Sequence, residues 1–238
     1  MAVSGSTDQN STAVTILEDA RRLLGIHAEE ESLANHEKDT GLRFLTMMLK
    51  DWQVDPDLGS WLETQGTLAL TATASFLFGS GGAFTTIPFE IVAVRISKSG
   101  GNEIPMTRMS RADYFDLPNK TSTGTPTQFF YDRQRDSGTL YVWPVPADAT
   151  YTITFTYRRR IMDVDAGTDN LDLPPEWQWA VANSLAVQLI PVYGRGGTPE
   201  AAQVITQADV SLSKLKAFDI SNDGGSITIA RDPYDRRR

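Results

Sequence analysis

Apolar positions fall at helical spacing in the first fifty residues. Ala13, Ile16, Leu17, Ala20, Leu23 and Leu24 form one stripe, the pattern of an amphipathic helix. Ser11 or Thr12 can cap its start by accepting a first-turn N–H, and Gly25 is a natural stop. The polar, acidic stretch HAEEESLANHEKD then leads into a second helix running to about Gln53, with Leu42, Leu45, Met48, Leu49 and Trp52 as its stripe. DPDLG (Asp55–Gly59) ends this section, because Pro56 disfavours helix at the residue before it.

From about Trp61 to Arg160 the period shortens to alternation. Thr67–Ala72, Glu90–Ser97, Thr127–Asp132 and Thr139–Trp143 read as strands. The most regular strand is ATYTITFTYRRR, with Tyr151, Ile153, Phe155 and Tyr157 on one face and Thr150, Thr152, Thr154 and Thr156 on the other. PVPADA makes the turn before it, and its prolines limit how far the ladder can extend. SRADYFDLP reads as a short helix capped by Ser110, and the rest of this region, GSGG and KTSTGTP included, as loops.

Helical spacing returns at LPPEWQWAVANSLAVQLIPVYG. Pro175 suits a first turn, where a missing N–H costs nothing, and Glu176 suits the positive end of the helix dipole. Trp177, Val181, Leu185 and Gln188 follow one track, with Ala180, Ser184 and Val187 beside it. After GRGG, Thr198 and Pro199 open a fourth helix with Ala202, Ile205, Ala208, Leu212 and Leu215 as its stripe. Past Phe218 the chain changes to DISNDGGSITIARDPYDRRR, with a glycine pair, a short alternation and charge. The predicted fold is α+β: a four-helix frame with an inserted antiparallel β domain and an extended C-terminal tail. Its parts are residues 1–60 and 163–218 for the frame, 61–162 for the insert and 219–238 for the tail.

Composition narrows the chemistry. With no cysteine among 238 residues, disulfides and thiolate chemistry are excluded, which is compatible with assembly in a reducing host cytoplasm. No apolar run is long enough to span a membrane, and MAVSGSTDQNST lacks the basic and apolar regions of a secretory signal. The net charge of −8 argues against a general grip on DNA phosphates, but not against surrounding DNA without gripping it. Basic residues cluster at Arg158, Arg159 and Arg160 and at Arg236, Arg237 and Arg238. The run after the strand reads as a solvated end, a phosphate contact or a protein contact, since the guanidinium fork suits phosphates and carboxylates alike. The C-terminal run reads on charge alone as a solvated tail.

Catalytic patterns are weak. His27 and His36 lack ligand spacing, and with no cysteine they make no zinc site. GSGG (Gly79–Gly82) has neither the lysine of a P-loop nor the spacing of a dinucleotide site. Glu18, Glu29, Glu30, Glu31, Glu37 and Asp39 offer carboxylates for a glycosidase pair, though such acids line the polar helix faces of any acidic protein. No cofactor is expected.

Several segments in order resemble one family. GLRFLTMMLKDWQ resembles the helix that precedes the β region in head–tail connector (adaptor, packaged-DNA stabilisation) proteins of tailed bacteriophages, notably short-tailed ones. IPFEIVAVRI, EIPMTRMSRADYFDLP, GTPTQFFYD and an aromatic strand ending in WPVP follow as in that family. DNLDLPPEWQWAVANSLAVQLIPVYG resembles its proline-capped helix ending at Tyr-Gly, and the likeness covers about residues 12–217.

The resemblance implies a non-enzymatic dodecameric ring docked beneath the portal protein at the head–tail junction of the virion. Such a ring extends the DNA channel, retains the packaged genome without sequence-specific contact and gives tail or nozzle proteins a platform. It also implies a C-terminal segment reaching onto the portal. Ile227, Ile229, Tyr234, Arg236, Arg237 and Arg238 are the expected portal contacts, with strand addition supplying backbone bonds and the isoleucines selectivity. Arg158, Arg159 and Arg160 are then expected to meet acidic groups of a neighbouring subunit or tail protein. The competing readings are a cell-wall glycosidase acting during genome delivery and a nucleic-acid-binding module built on the arginine clusters.

Overall fold

A computed structural model describes residues 11–26, 32–99 and 101–222. Along the chain, α1 (Ala13–Leu23) and α2 (Asn35–Trp52) come first. A 3-10 turn (Ser60–Leu62) leads into β1 (Glu63–Ala69), β2 (Ser75–Phe78), β3 (Glu90–Lys98), β4 (Ile104–Pro105) and β5 (Thr107–Arg108). Then follow α3 (Arg111–Phe115), β6 (Thr123–Gly124), β7 (Gln128–Arg133), β8 (Gly138–Trp143), β9 (Val145–Pro146) and β10 (Tyr151–Arg158). A second 3-10 turn (Pro175–Trp177) opens α4 (Gln178–Leu189), and α5 (Pro199–Asn222) closes the described chain. The protein is α+β, as the change of period predicts, and divides into two compact units: Met1–Trp61 with Ile161–Arg238, and Leu62–Arg160.

In the first unit the predicted caps of α1 are present. Thr12 accepts the Thr15 N–H. At the other end Gly25, at φ +65°, lets Gly25 N and Ile26 N donate back to the carbonyls of Arg22 and Arg21, a Schellman motif. Ala13, Ile16, Leu17, Ala20 and Leu24 are buried and Leu23 is half-buried. Helix α2 crosses α1 antiparallel through two rungs. Glu37 pairs with the buried Arg21 at 2.9 Å, and Gly41 lies so close to Leu17 that a Cβ there would sit 2.4 Å from its methyls.

Two helix faces differ from the sequence expectation. Helix α4 packs on α1, α2 and α5, so Ala182, Asn183, Ala186 and Leu189 are buried together with the predicted Val181 and Leu185, whereas Gln188 is exposed. A helix surrounded by neighbours has no single core track. On α5 the buried apolar residues are Ala201, Val204 and Ala208, while Ala202 and Ile205 face outward. The first two predicted positions each fall one residue late, a rotation of about 100°, whereas Ala208 is buried as predicted. Trp177 is 2% exposed and rests between Trp52 and Trp61, with ring centroids 5.9 and 4.3 Å away.

Helix α5 also continues past Phe218. Buried Asp219 accepts hydrogen bonds from Gly59 N (2.8 Å), Ser60 N (3.2 Å) and Ser60 Oγ (2.8 Å). One turn back, Lys216 Nζ meets Asp55 Oδ2 at 2.5 Å. These contacts fasten the end of α5 to the segment that precedes β1.

The second unit holds two four-stranded sheets, ordered β1-β10-β3-β4 and β2-β8-β7-β5, and a two-stranded pair, β6-β9. Its ladders are antiparallel except β5–β7 and β6–β9, which are parallel and correct the purely antiparallel expectation. These parallel pairs are two residues long and form where loops run alongside a strand. Strand β10 lies between β1 and β3, and its Tyr151, Ile153, Phe155 and Tyr157 are buried in a core shared with Phe76, Phe78, Phe129 and Val142 of the other sheet. Strand β1 starts at Glu63, ahead of the predicted Thr67, because β10 pairs with it from Arg158 onward. Strand β2 lies in a stretch read as loop.

Strand β7 of the β2-β8-β7-β5 sheet is covered on both faces. Adjacent Phe129 and Phe130 point oppositely, and Phe130 packs with Met109, Tyr114 and Tyr141 under α3. Ser110 caps α3 as predicted, in a reciprocal box with Asp113.

Candidate interaction surfaces

The arginine run leaves the best strand where β10 ends. Arg158 stands in register with Glu63 on one side and Glu90 on the other, and Glu90 also pairs with Arg108 at 2.8 Å. Arg159 is half-buried and donates its backbone N–H to the Leu62 carbonyl at 2.9 Å. Arg160 is exposed, and its guanidinium donates to the Gln134 and Arg135 carbonyls at 3.4 and 3.1 Å in the β7–β8 hairpin. The expected portal contacts Ile227, Ile229, Tyr234, Arg236, Arg237 and Arg238 lie outside the described residues.

The histidines and acids come together in no catalytic array among the described residues. His36 is exposed, and His27, Glu29, Glu30 and Glu31 lie outside the described residues. Hydrogen bonding from Arg21, aided by the Ala34 N–H, holds Glu37 below the ordinary carboxylate range. That shift is opposite to the one a proton-donating acid needs. Glu18 is taken up by Arg22 at 3.6 Å within one helical face. No group of described residues has the His, Asp or Glu clustering that would hold a metal ion, and no described helix is long and apolar enough to cross a membrane.

What the first unit does present is apolar surface on the two flanks of α5. One flank forms a groove of about 410 Å³ with α2 and α4, lined by Met47, Asp51, Val187, Ile205, Asp209 and Leu212. The other forms a groove of about 410 Å³ with the start of α4, lined by Glu176, Trp179, Val210, Lys214 and Leu215. Met47 is 52% exposed, Trp179 57%, Ile205 44% and Val210 49%. Solvent-facing apolar side chains gathered in grooves mark interaction sites, whereas scattered ones do not. Sequence reasoning missed these surfaces because it placed Ile205 in the core; the available signal was Trp179, two residues from Trp177 and on a different face of the same helical segment.

The chain matches the family model for the SU10 adaptor protein over residues 11–223, and it belongs to that family. The resemblance to phage head–tail adaptors drawn from its segments therefore holds. No curated protein matches the chain significantly.

Proposed function

We propose that this phage adaptor is a structural head–tail connector. Copies of the chain form a dodecameric ring beneath the portal, extend the DNA channel, retain the packaged genome and provide a platform for tail or nozzle proteins. The observation that carries this reading is family membership over residues 11–223. The work is done by surfaces, so it requires neither cofactor nor catalysis.

The net charge of −8 supports a passive channel. An acidic wall repels DNA weakly within about 8 Å at physiological salt, so it lets the duplex slide where a basic wall would hold it. The chain acts in the virion at the head–tail junction after assembly in the host cytoplasm. Residues beyond α5, with Ile227, Ile229, Tyr234 and Arg236–Arg238, reach onto the portal. Arg158, Arg159 and Arg160 contribute to contacts with a neighbouring copy or tail protein, and the exposure of Arg160 supports this.

The test is native mass spectrometry of the portal protein of the same phage, with and without this chain. The expected result is a discrete mass increment of one copy per portal subunit. Deleting residues 223–238 should leave the fold intact and abolish that increment. No increment from the intact, folded chain would refute the connector reading, and normal docking by the truncated chain would refute the role of the tail.

A further inference from the structure

The two grooves on α5 suggest how copies of the chain meet. Ile205, Asp209 and Leu212 line the first groove and Val210 and Lys214 the second. A five-residue step, Ile205 to Val210 or Asp209 to Lys214, turns about 140° around a helix, so the grooves open on different flanks. Their linings also differ in charge. The first carries the carboxylates of Asp51 and Asp209 and no cation. The second carries Lys214, the one cation on either lining, together with the exposed Trp179 and the carboxylate of Glu176. Asp51, Asp209 and Lys214 are exposed, and none forms an ion pair with another described residue.

We infer that the occupant of each groove is a second copy of this chain: the Trp179–Val210–Lys214 flank of one copy seats in the Met47–Ile205–Asp209 groove of the next. Lys214 meets Asp209 and Asp51 across the contact, and Trp179 supplies the aromatic anchor typical of an interface centre. Because the two surfaces are different and lie on different flanks, the contact is head-to-tail. A two-fold contact centred on the first groove would place that groove, and its two carboxylates, against itself. Head-to-tail contacts close into rings when the rotation between copies allows. The inference rests on the proposed ring and assigns its subunit interface to α5.

The chain contains no cysteine, so the introduced thiols are the only ones through which its copies can be linked to one another. Asp209→Cys and Lys214→Cys are made as separate proteins and as one doubly substituted chain. Within one chain the two positions are about 7.5 Å apart along the helix axis and point apart, beyond the reach of an internal disulfide. Each is oxidised with the portal protein of the same phage present, and wild-type ring formation is followed in parallel by native mass.

The mixture of single-cysteine proteins should give a disulfide-linked pair, the doubly substituted chain a ladder of linked copies, and each single-cysteine protein alone no adduct. Trp179→Glu should lower ring occupancy by at least about tenfold. Adducts from either single-cysteine protein alone would show a two-fold contact and overturn the inference. Absence of adducts while the wild-type chain forms a ring would overturn the interface and leave the ring standing. If the wild-type chain forms no ring, with or without portal, both fall.

Discussion

Replacing Asp219 tests whether the end of α5 is held by its carboxylate or merely lies near the segment before β1. Three donors converge on this buried side chain: Gly59 N and Ser60 N on Oδ2, and Ser60 Oγ on Oδ1. Asp219→Ala removes both acceptor oxygens and with them all three bonds. The Ser60 hydroxyl can rotate, and Ser60 is half-buried, so water recovers part of the loss. The Gly59 N–H is buried and has no such recourse, and an orphaned buried donor costs about 1–3 kcal/mol. With loss of the charge-assisted bonds, the local cost sums to about 3 kcal/mol.

Asp219→Asn separates geometry from charge. Its Oδ1 can accept both backbone N–H groups and its Nδ2 can donate to Ser60 Oγ, so the cost should fall to about 1 kcal/mol. Lys216→Ala, one turn earlier, should cost under about 1 kcal/mol despite the shorter contact of Lys216 with Asp55, because that pair is about a third exposed. A chain with two compact units need not unfold in one step, so the assay is amide hydrogen exchange at Gly59 and Ser60 rather than a melting temperature. About 3 kcal/mol corresponds to roughly a hundredfold faster exchange. Unchanged protection in Asp219→Ala, or equal effects of Ala and Asn, would refute the reasoning.

The two rungs between α1 and α2 give further predictions. Gly41→Ala gains about 1 kcal/mol of helix propensity, but its Cβ would sit 2.4 Å from the methyls of fully buried Leu17, an overpacking cost of about 1–3 kcal/mol. A net loss of about 1 kcal/mol is expected in urea denaturation, and a gain would show that Leu17 moves aside freely. Glu37→Gln leaves the buried Arg21 guanidinium without its counter-charge, at about 3 kcal/mol. Because Arg21 lowers the Glu37 pKa, this stability is fully present above the ordinary Glu value of 4.5 and lost as pH falls through the lower folded value. Denaturation midpoints of the two proteins should therefore converge in acid, and a gap that persists there would refute the pairing as its cause.

What could be read from the sequence follows from how far each determinant reaches along the chain. The caps at Thr12, Gly25 and Ser110 act on residues within one turn, and each is where the pattern placed it. The alternation of β10 was equally plain because its buried face needs only its own residues. Polar Glu63–Gly66 gave no such signal, because β10 recruits those residues through backbone pairing. Asp219 read as the beginning of a polar tail, since its partners lie 159 and 160 residues away. On α5 the ambiguity is chemical. Ala201 and Ala202, and Val204 and Ile205, are apolar neighbours, so two faces 100° apart fit the same spacing. A helix that serves a core on one side and a neighbouring copy on another carries apolar residues for both. On the inferred contact between copies, Ile205, which periodicity misplaced in the core beside Val204, is the residue that serves the second surface.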